Sequence, residues 1–208
     1  MLDIFSAAGI DKPDISILDD IFLDAFSRMP QKNLAVEMLR KLLKDEVRTR
    51  ARTNLIQSKQ FSEMIEETIR RYQNRTIEAA EIILELVRIA KEFREAMDRG
   101  DELGLTNDEI AFYDALEVND SAVLKLGDDK LKQIAHDLVE GVRNSVTIDW
   151  TRKENVKAKI RTMVKRILRK HGYPPDKQEA ATRTVPQQAE LLCGDWAEAS
   201  CEQKVTPV

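Results

Sequence analysis

From Asn33 onward, apolar residues recur three or four positions apart: Val36, Leu39, Leu43, Val47, Ala51 and Leu55 form a stripe, with Arg40, Lys41, Lys44 and Arg48 between them. That period marks an amphipathic helix whose other faces meet water. Upstream, Leu18, Ile21, Phe22, Ala25 and Phe26 fit a short helix over Ser16 to Arg28, stopped by Pro30, while Leu2 to Pro13 reads as an irregular lead-in. The longest run starts at Ile65 and passes through Ile69, Tyr72, Thr76, Ala79, Ile83, Leu86, Ala90, Phe93 and Met97 in alternating steps of four and three, like a coiled-coil seam. One helix over Lys59 to Arg99 would be roughly 60 Å long.

Gly100 and Gly104 end that run, and Thr106 with Glu109 forms a capping box ahead of Ile110, Phe112, Tyr113 and Leu116. Asn119 to Asp128 reads as a loop. A helix over Asp129 to Ser145 presents Leu131, Ile134, Ala135, Leu138 and Val142, with Gly141 weakening the pattern near its end. Thr151 and Glu154 cap a helix striped by Val156, Ile160, Met163, Val164 and Ile167, which stops at His171-Gly172. Asp176 and Glu179 suggest a third capping box, and Pro186 is expected to kink or split the last helix. The pattern predicts an all-α fold, an elongated helical bundle of about seven helices built around one or two long ones. Its expected parts are a lead-in over 1–15, a helical domain over 16–193 and a frayed tail over 194–208.

Composition supports this picture. Charged residues make up 34 % of the 208 positions and aromatics 5 %, a mix suited to helices with long solvated faces. The net charge of -4 conceals a polarity: Glu78 to Asp120 is acidic, whereas Arg152 to Lys170 holds nine Lys/Arg and one acid, Glu154. No apolar run approaches the roughly 20 residues that span a bilayer, and Met1-Leu2-Asp3-Ile4 lacks the basic-then-apolar order of a signal peptide, so a soluble cytoplasmic protein without a membrane partner is expected. Cys193 and Cys201 suit a reducing compartment better than a disulfide framework.

Catalytic patterns are missing. None of the seven glycines begins a phosphate-cradling loop, and His136 and His171 lack the paired spacing that places two imidazoles on one helix face. Pro13-Asp14 with Asp128 and Lys130, and Pro175-Asp176 with Glu202 and Lys204, match a magnesium nuclease only loosely. Such sites are held on adjacent strands, and these residues fall on turns, a helix start and a tail. No catalytic, cofactor-binding or metal-binding residue is expected in this chain.

Six phrases in order are more specific than any periodicity: Pro30-Gln31-Lys32-Asn33-Leu34-Ala35, Phe61-Ser62-Glu63-Met64, Tyr72-Gln73-Asn74-Arg75, Ala111-Phe112-Tyr113-Asp114-Ala115-Leu116, Ile148-Asp149-Trp150 and Tyr173-Pro174-Pro175-Asp176. Together they resemble the C-terminal helical region of the R subunit, the endonuclease component of type I restriction-modification enzymes, over about residues 2 to 193. Pro186 departs from the uninterrupted helix expected there. The resemblance implies a parent subunit with a Mg²⁺-dependent nuclease and two ATP-driven motor lobes upstream, none of whose motifs occurs in this chain. It also implies that this region holds the subunit against a methyltransferase core of modification and specificity subunits, with S-adenosylmethionine bound by that partner.

Within this frame, Asn74, Arg75, Trp150 and Tyr173 are candidate partner-interface residues. The alternatives are a packed Tyr72 beside Asn74 and Arg75, and capping and tethering of helix ends by the aromatics Trp150 and Tyr173. Lys157, Arg161, Lys165 and Arg169, at four-residue steps, are candidates for duplex DNA backbone contact. The alternative is a solvated face, or one docked on the acidic Glu78 to Asp120 stretch. No aromatic interleaves with these bases, so base-specific readout is not expected.

Overall fold

The computed structural model describes residues 20–75, 77–117, 126–145 and 154–202. Among them stand eight α-helices and no strand, so the all-α expectation holds. They are α1 (Asp20–Arg28), α2 (Lys32–Arg50), α3 (Leu55–Gln73), α4 (Ala79–Leu103), α5 (Asn107–Glu117), α6 (Asp128–Ser145), α7 (Glu154–Lys170) and α8 (Pro175–Glu202). The expected lead-in, most of the Asn119 to Asp128 loop and the Thr151 cap lie outside the described residues. Contacts group the chain into two units, Met1–Arg50 with Gln57–Arg99 and Ala51–Ile56 with Gly100–Val208.

In the first unit, the apolar stripe of α2 is wider than the sequence suggests. Ala35, Met38 and Leu42 are buried along with Val36, Leu39, Leu43 and Val47, covering about half the circumference at 3.6 residues per turn. The single 59–99 helix is corrected to two. α3 ends at Gln73, where the Asn74 amide donates to Arg70 O and the Arg75 amide to Tyr72 O, both at 2.9 Å. Arg75 then takes φ 55°, left-handed backbone that turns the chain out of the helix. Glu81 reaches back to the Glu78 amide at 3.0 Å and starts α4. The continuous seam arises because α3 and α4 are both amphipathic and the turn happens to keep their phase. They form an antiparallel hairpin: Gln57 donates to Ala96 O, Phe61 meets Phe93 edge-on with centroids 4.8 Å apart, and Arg71 pairs with Glu85 at 2.8 Å.

In the second unit, α5 packs on α6 and α8, and α7 packs on α6 and α8, around a core that includes Phe112, Leu116, Leu131, Leu138, Val164 and Leu192. Gly100 proves to lie inside α4, and the stop is Gly104, at φ 67°: its amide bonds Asp101 O while the Leu105 amide bonds Gly100 O. Gly172, at φ 69°, ends α7 in the same way, with Tyr173 N on Leu168 O. The Thr106–Glu109 box forms as expected, the Glu109 carboxylate accepting from the Thr106 amide and hydroxyl at 2.8 Å each. α8 begins at Pro175, one residue before Asp176, and a proline in the first helical position loses nothing by its missing N–H. Pro186 does not split α8. It removes one backbone hydrogen bond, but Val185, Ala189 and Leu192 on the same stretch are fully buried, and that packing holds the helix through Glu202.

Gly141, which weakens the pattern of α6 in sequence, has a packing reason. A Cβ there would stand 2.8 Å from Met163 Sδ and 3.3 Å from Ile167 Cδ1, so α6 and α7 approach closely only because the side chain is absent.

Candidate functional site

Polar side chains in the second unit are used mainly to fasten one element to another. Gln188, fully buried on α8, donates from Nε2 to Thr53 O at 2.6 Å and accepts the Leu55 amide on Oε1 at 2.9 Å. Asn54 Nδ2 donates to Asp114 Oδ2 on α5 at 2.6 Å. The short segment between α2 and α3 is therefore held by α5 and α8 through three hydrogen bonds. At the α5 start, Asp108 Oδ2 accepts from Arg143 of α6 at 2.6 Å and from the Trp196 indole of α8 at 3.0 Å, and the Arg143 guanidinium lies 5.0 Å from the Trp196 ring centroid.

Both histidines are braces. His136 Nδ1 lies 2.6 Å from Glu109, joining α6 to α5, and this bond raises the His136 pKa above its usual 6.5. Burial alone would raise the Glu109 carboxyl, but hydrogen bonds from His136 and Thr106 outweigh it and hold Glu109 below 4.5. His171 bonds Asp137 at 2.8 Å and Lys170 reaches the same oxygen at 3.0 Å; chiefly the His171 bond lowers Asp137, against the effect of burial. Burial pushes the Cys193 thiol up to about 12, which makes it a packing residue rather than a nucleophile.

Among the described residues no group of three His, Cys, Asp or Glu side chains could share a metal ion. Asp176 and Glu202 lie at opposite ends of α8, about 40 Å apart at the helical rise, so that loose carboxylate pair cannot converge. Pro13-Asp14 lies outside the described residues. No helix of the described residues is long and apolar enough to cross a membrane.

Of the expected interface residues, Asn74 and Arg75 are exposed at the turn between α3 and α4. Trp150 lies outside the described residues. Tyr173 is corrected: it is 1 % exposed and its hydroxyl donates to Leu116 O at 3.1 Å, so it tethers the end of α7 to α5 and offers no surface to a partner. Tyr72 is half-buried, its hydroxyl donating to Asn33 Oδ1 at 2.9 Å. Of the basic row, Arg161, Lys165 and Arg169 are exposed and none is ion-paired to a described residue, while nothing is described of the Lys157 side chain. Lys159 and Arg166, outside that row, are exposed on the same helix.

Five of the six phrases quoted above fall among the described residues, Ile148-Asp149-Trp150 lying outside them, and the family model described as "Type I restriction enzyme HindI endonuclease subunit-like, C-terminal" matches residues 1–195. The chain belongs to this family. It is 40 % identical over 195 residues to the type I restriction enzyme HindI endonuclease subunit of Haemophilus influenzae, covering 94 % of this chain and 18 % of that protein. It is 38 % identical over 174 residues to the putative type I restriction enzyme MjaIXP endonuclease subunit of Methanocaldococcus jannaschii, covering 83 % of this chain and 16 % of that one. The chain thus spans less than a fifth of the length of either relative. No solved structure matches it.

Sequence reasoning missed the Gln188 and Asn54–Asp114 ties. A signal was present: Gln188 interrupts the apolar positions Ala181, Val185, Ala189 and Leu192, and Asp114 lies inside the apolar run Ile110 to Leu116. A polar residue on a buried stripe needs a partner. Which partner it finds, 60 positions away in sequence for Asp114 and 133 or more for Gln188, is not encoded locally.

Proposed function

We propose that this region is the assembly module of a type I restriction endonuclease subunit, docking the ATP-dependent translocase and endonuclease on a methyltransferase core of modification and specificity subunits. The observation that carries this reading is the use of its polar groups: in a chain of this family, Asp108, Glu109, Asp114, Asp137, Gln188 and both histidines bind helix to helix, which makes a scaffold instead of a reaction centre. Exposed Asn74 and Arg75, at a turn where Arg75 holds an unfavourable backbone angle, are the candidate contact points. In this reading ATP and Mg²⁺ would act elsewhere in the subunit, and the whole assembly would work in the cytoplasm.

Mixing the purified chain with the methyltransferase core tests the proposal: co-elution at micromolar concentration is expected, and Asn74→Ala with Arg75→Ala should weaken it. Separate elution of the two at that concentration refutes the docking role.

A second reading is a non-specific grip on duplex DNA backbone by α7. It is favoured by the exposure of Arg161, Lys165 and Arg169 without ion-pair partners among the described residues, which leaves their charge available to phosphates.

A further inference from the structure

The cationic face of α7 is broader than the row Arg161, Lys165 and Arg169. At about 100° per residue, Lys159 and Arg166 emerge on the opposite flank of the same exposed arc, with Ala158 and Thr162 between the flanks. An open groove of ≈ 380 Å³ follows this second flank, lined by Ala158, Lys159, Thr162, Met163 and Arg166. Its two cations stand two turns apart, about 10 Å along the axis. Between them Thr162 and Met163 line the groove, and the Thr162 hydroxyl donates to Ala158 O at 2.9 Å. Neither Lys159 nor Arg166 is ion-paired to a described residue. Where a carboxylate is within reach, α7 does pair: Lys170, at its end, meets Asp137 at 3.0 Å. Five exposed cations on one helix face repel one another, and an approaching polyanion relieves that repulsion.

We propose that this groove seats the phosphodiester backbone of duplex nucleic acid, with Lys159 and Arg166 holding phosphates from one flank while Arg161, Lys165 and Arg169 hold them from the other. This rests on the backbone-binding reading above and enlarges its site. The open groove between the two cations admits a protruding phosphate ridge. Several fixed cations are rewarded most by a ligand with repeated phosphates, through counterion release. α7 carries no aromatic residue on which unpaired bases could stack, which favours a duplex over a single strand.

The test is anisotropy of a short fluorescent duplex with the 208-residue chain between about 50 and 200 mM salt. Compared are the parent, K159E/R166E, R161Q/R169Q and K44E/R52E, the last making the same change in formal charge at exposed positions on other elements than α7. K159E/R166E should weaken binding at least about tenfold and reduce the slope of log K against log salt by about 2, at roughly 0.9 per phosphate contact. K44E/R52E should stay within about threefold of the parent. K159Q/R166Q replaces the reversal variant if its melting curve shows a disturbed fold.

An unchanged K159E/R166E beside a weakened R161Q/R169Q would remove the groove and leave the backbone reading standing. No duplex binding by the parent at the lowest salt would remove both. Equal loss in K44E/R52E would reduce the effect to net charge and overturn the proposal. Displacement of the duplex by inorganic pyrophosphate or polyglutamate more readily than by unlabelled duplex would assign the groove to a small anion or an acidic polypeptide instead.

Discussion

Replacing Gln188 by Leu removes both hydrogen bonds that hold the Ala51–Ile56 segment to α8 while keeping the side-chain volume similar. The Thr53 carbonyl and the Leu55 amide each lose a partner, at 2.6 and 2.9 Å. A stranded buried polar group costs about 1–3 kcal/mol. Thr53 and Leu55 are themselves half-buried, so water relieves part of this, and the net loss should be about 2–3 kcal/mol. At this chain length 1 kcal/mol moves the melting temperature by about 2–4 °C, so a fall of about 4–12 °C is expected. Trp196 packs against the core of the unit that contains Gln188, so its fluorescence follows the unfolding of that unit. Q188E sharpens the test. Its carboxylate still accepts from Leu55 but faces the Thr53 carbonyl without a proton, so it should melt lower than Q188L near neutral pH and recover on acidification, as the protonated acid regains a donor. A Q188L shift below about 1 °C would refute the argument, because the two bonds would then contribute nothing beyond solvation.

Three further outcomes follow from the same geometry. Arg75→Gly should raise stability by about 1 kcal/mol, because glycine takes φ 55° without the Cβ clash, and a lower melting temperature would contradict the helix-end reading. Gly141→Leu should destabilise by about 1–3 kcal/mol by forcing Met163 and Ile167 aside; an unchanged urea midpoint would show that α6 and α7 separate freely. The Glu109–His136 pair has a defined pH window. With His136 raised, its contribution is full below the unfolded histidine value and lost as pH rises through the folded one; with Glu109 lowered, its contribution is present above the unfolded carboxylate value and lost as pH falls through the folded one. The difference in urea midpoint between the parent and His136→Gln should therefore peak between about pH 5 and 6 and shrink toward pH 8, and a flat difference would refute the bond.

Much of the fold was legible because helices are local. The three-to-four period located most elements, and Thr106 with Glu109 marked a start that the backbone uses. Punctuation was read less well. Asn74-Arg75 carries no glycine or proline, so the turn between α3 and α4 left almost no trace in a seam that continued across it. Pro186 carries a strong local signal, yet α8 is not split there. Gly141 looked like a weak point of α6 and is the position that lets α7 approach.

The sequence by itself determined the helical class, the family and the cationic character of α7, because periodicity, ordered phrases and charge are properties of neighbouring residues. Tertiary structure alone decided that Tyr173 is a tether, that Gln188 and Asp114 secure a segment distant in sequence, and that Lys159 and Arg166 line one groove. The physical reason is that a buried polar group must find a partner and an exposed charge need not. Which groups are buried, and beside what, is set only when helices far apart along the chain come into contact.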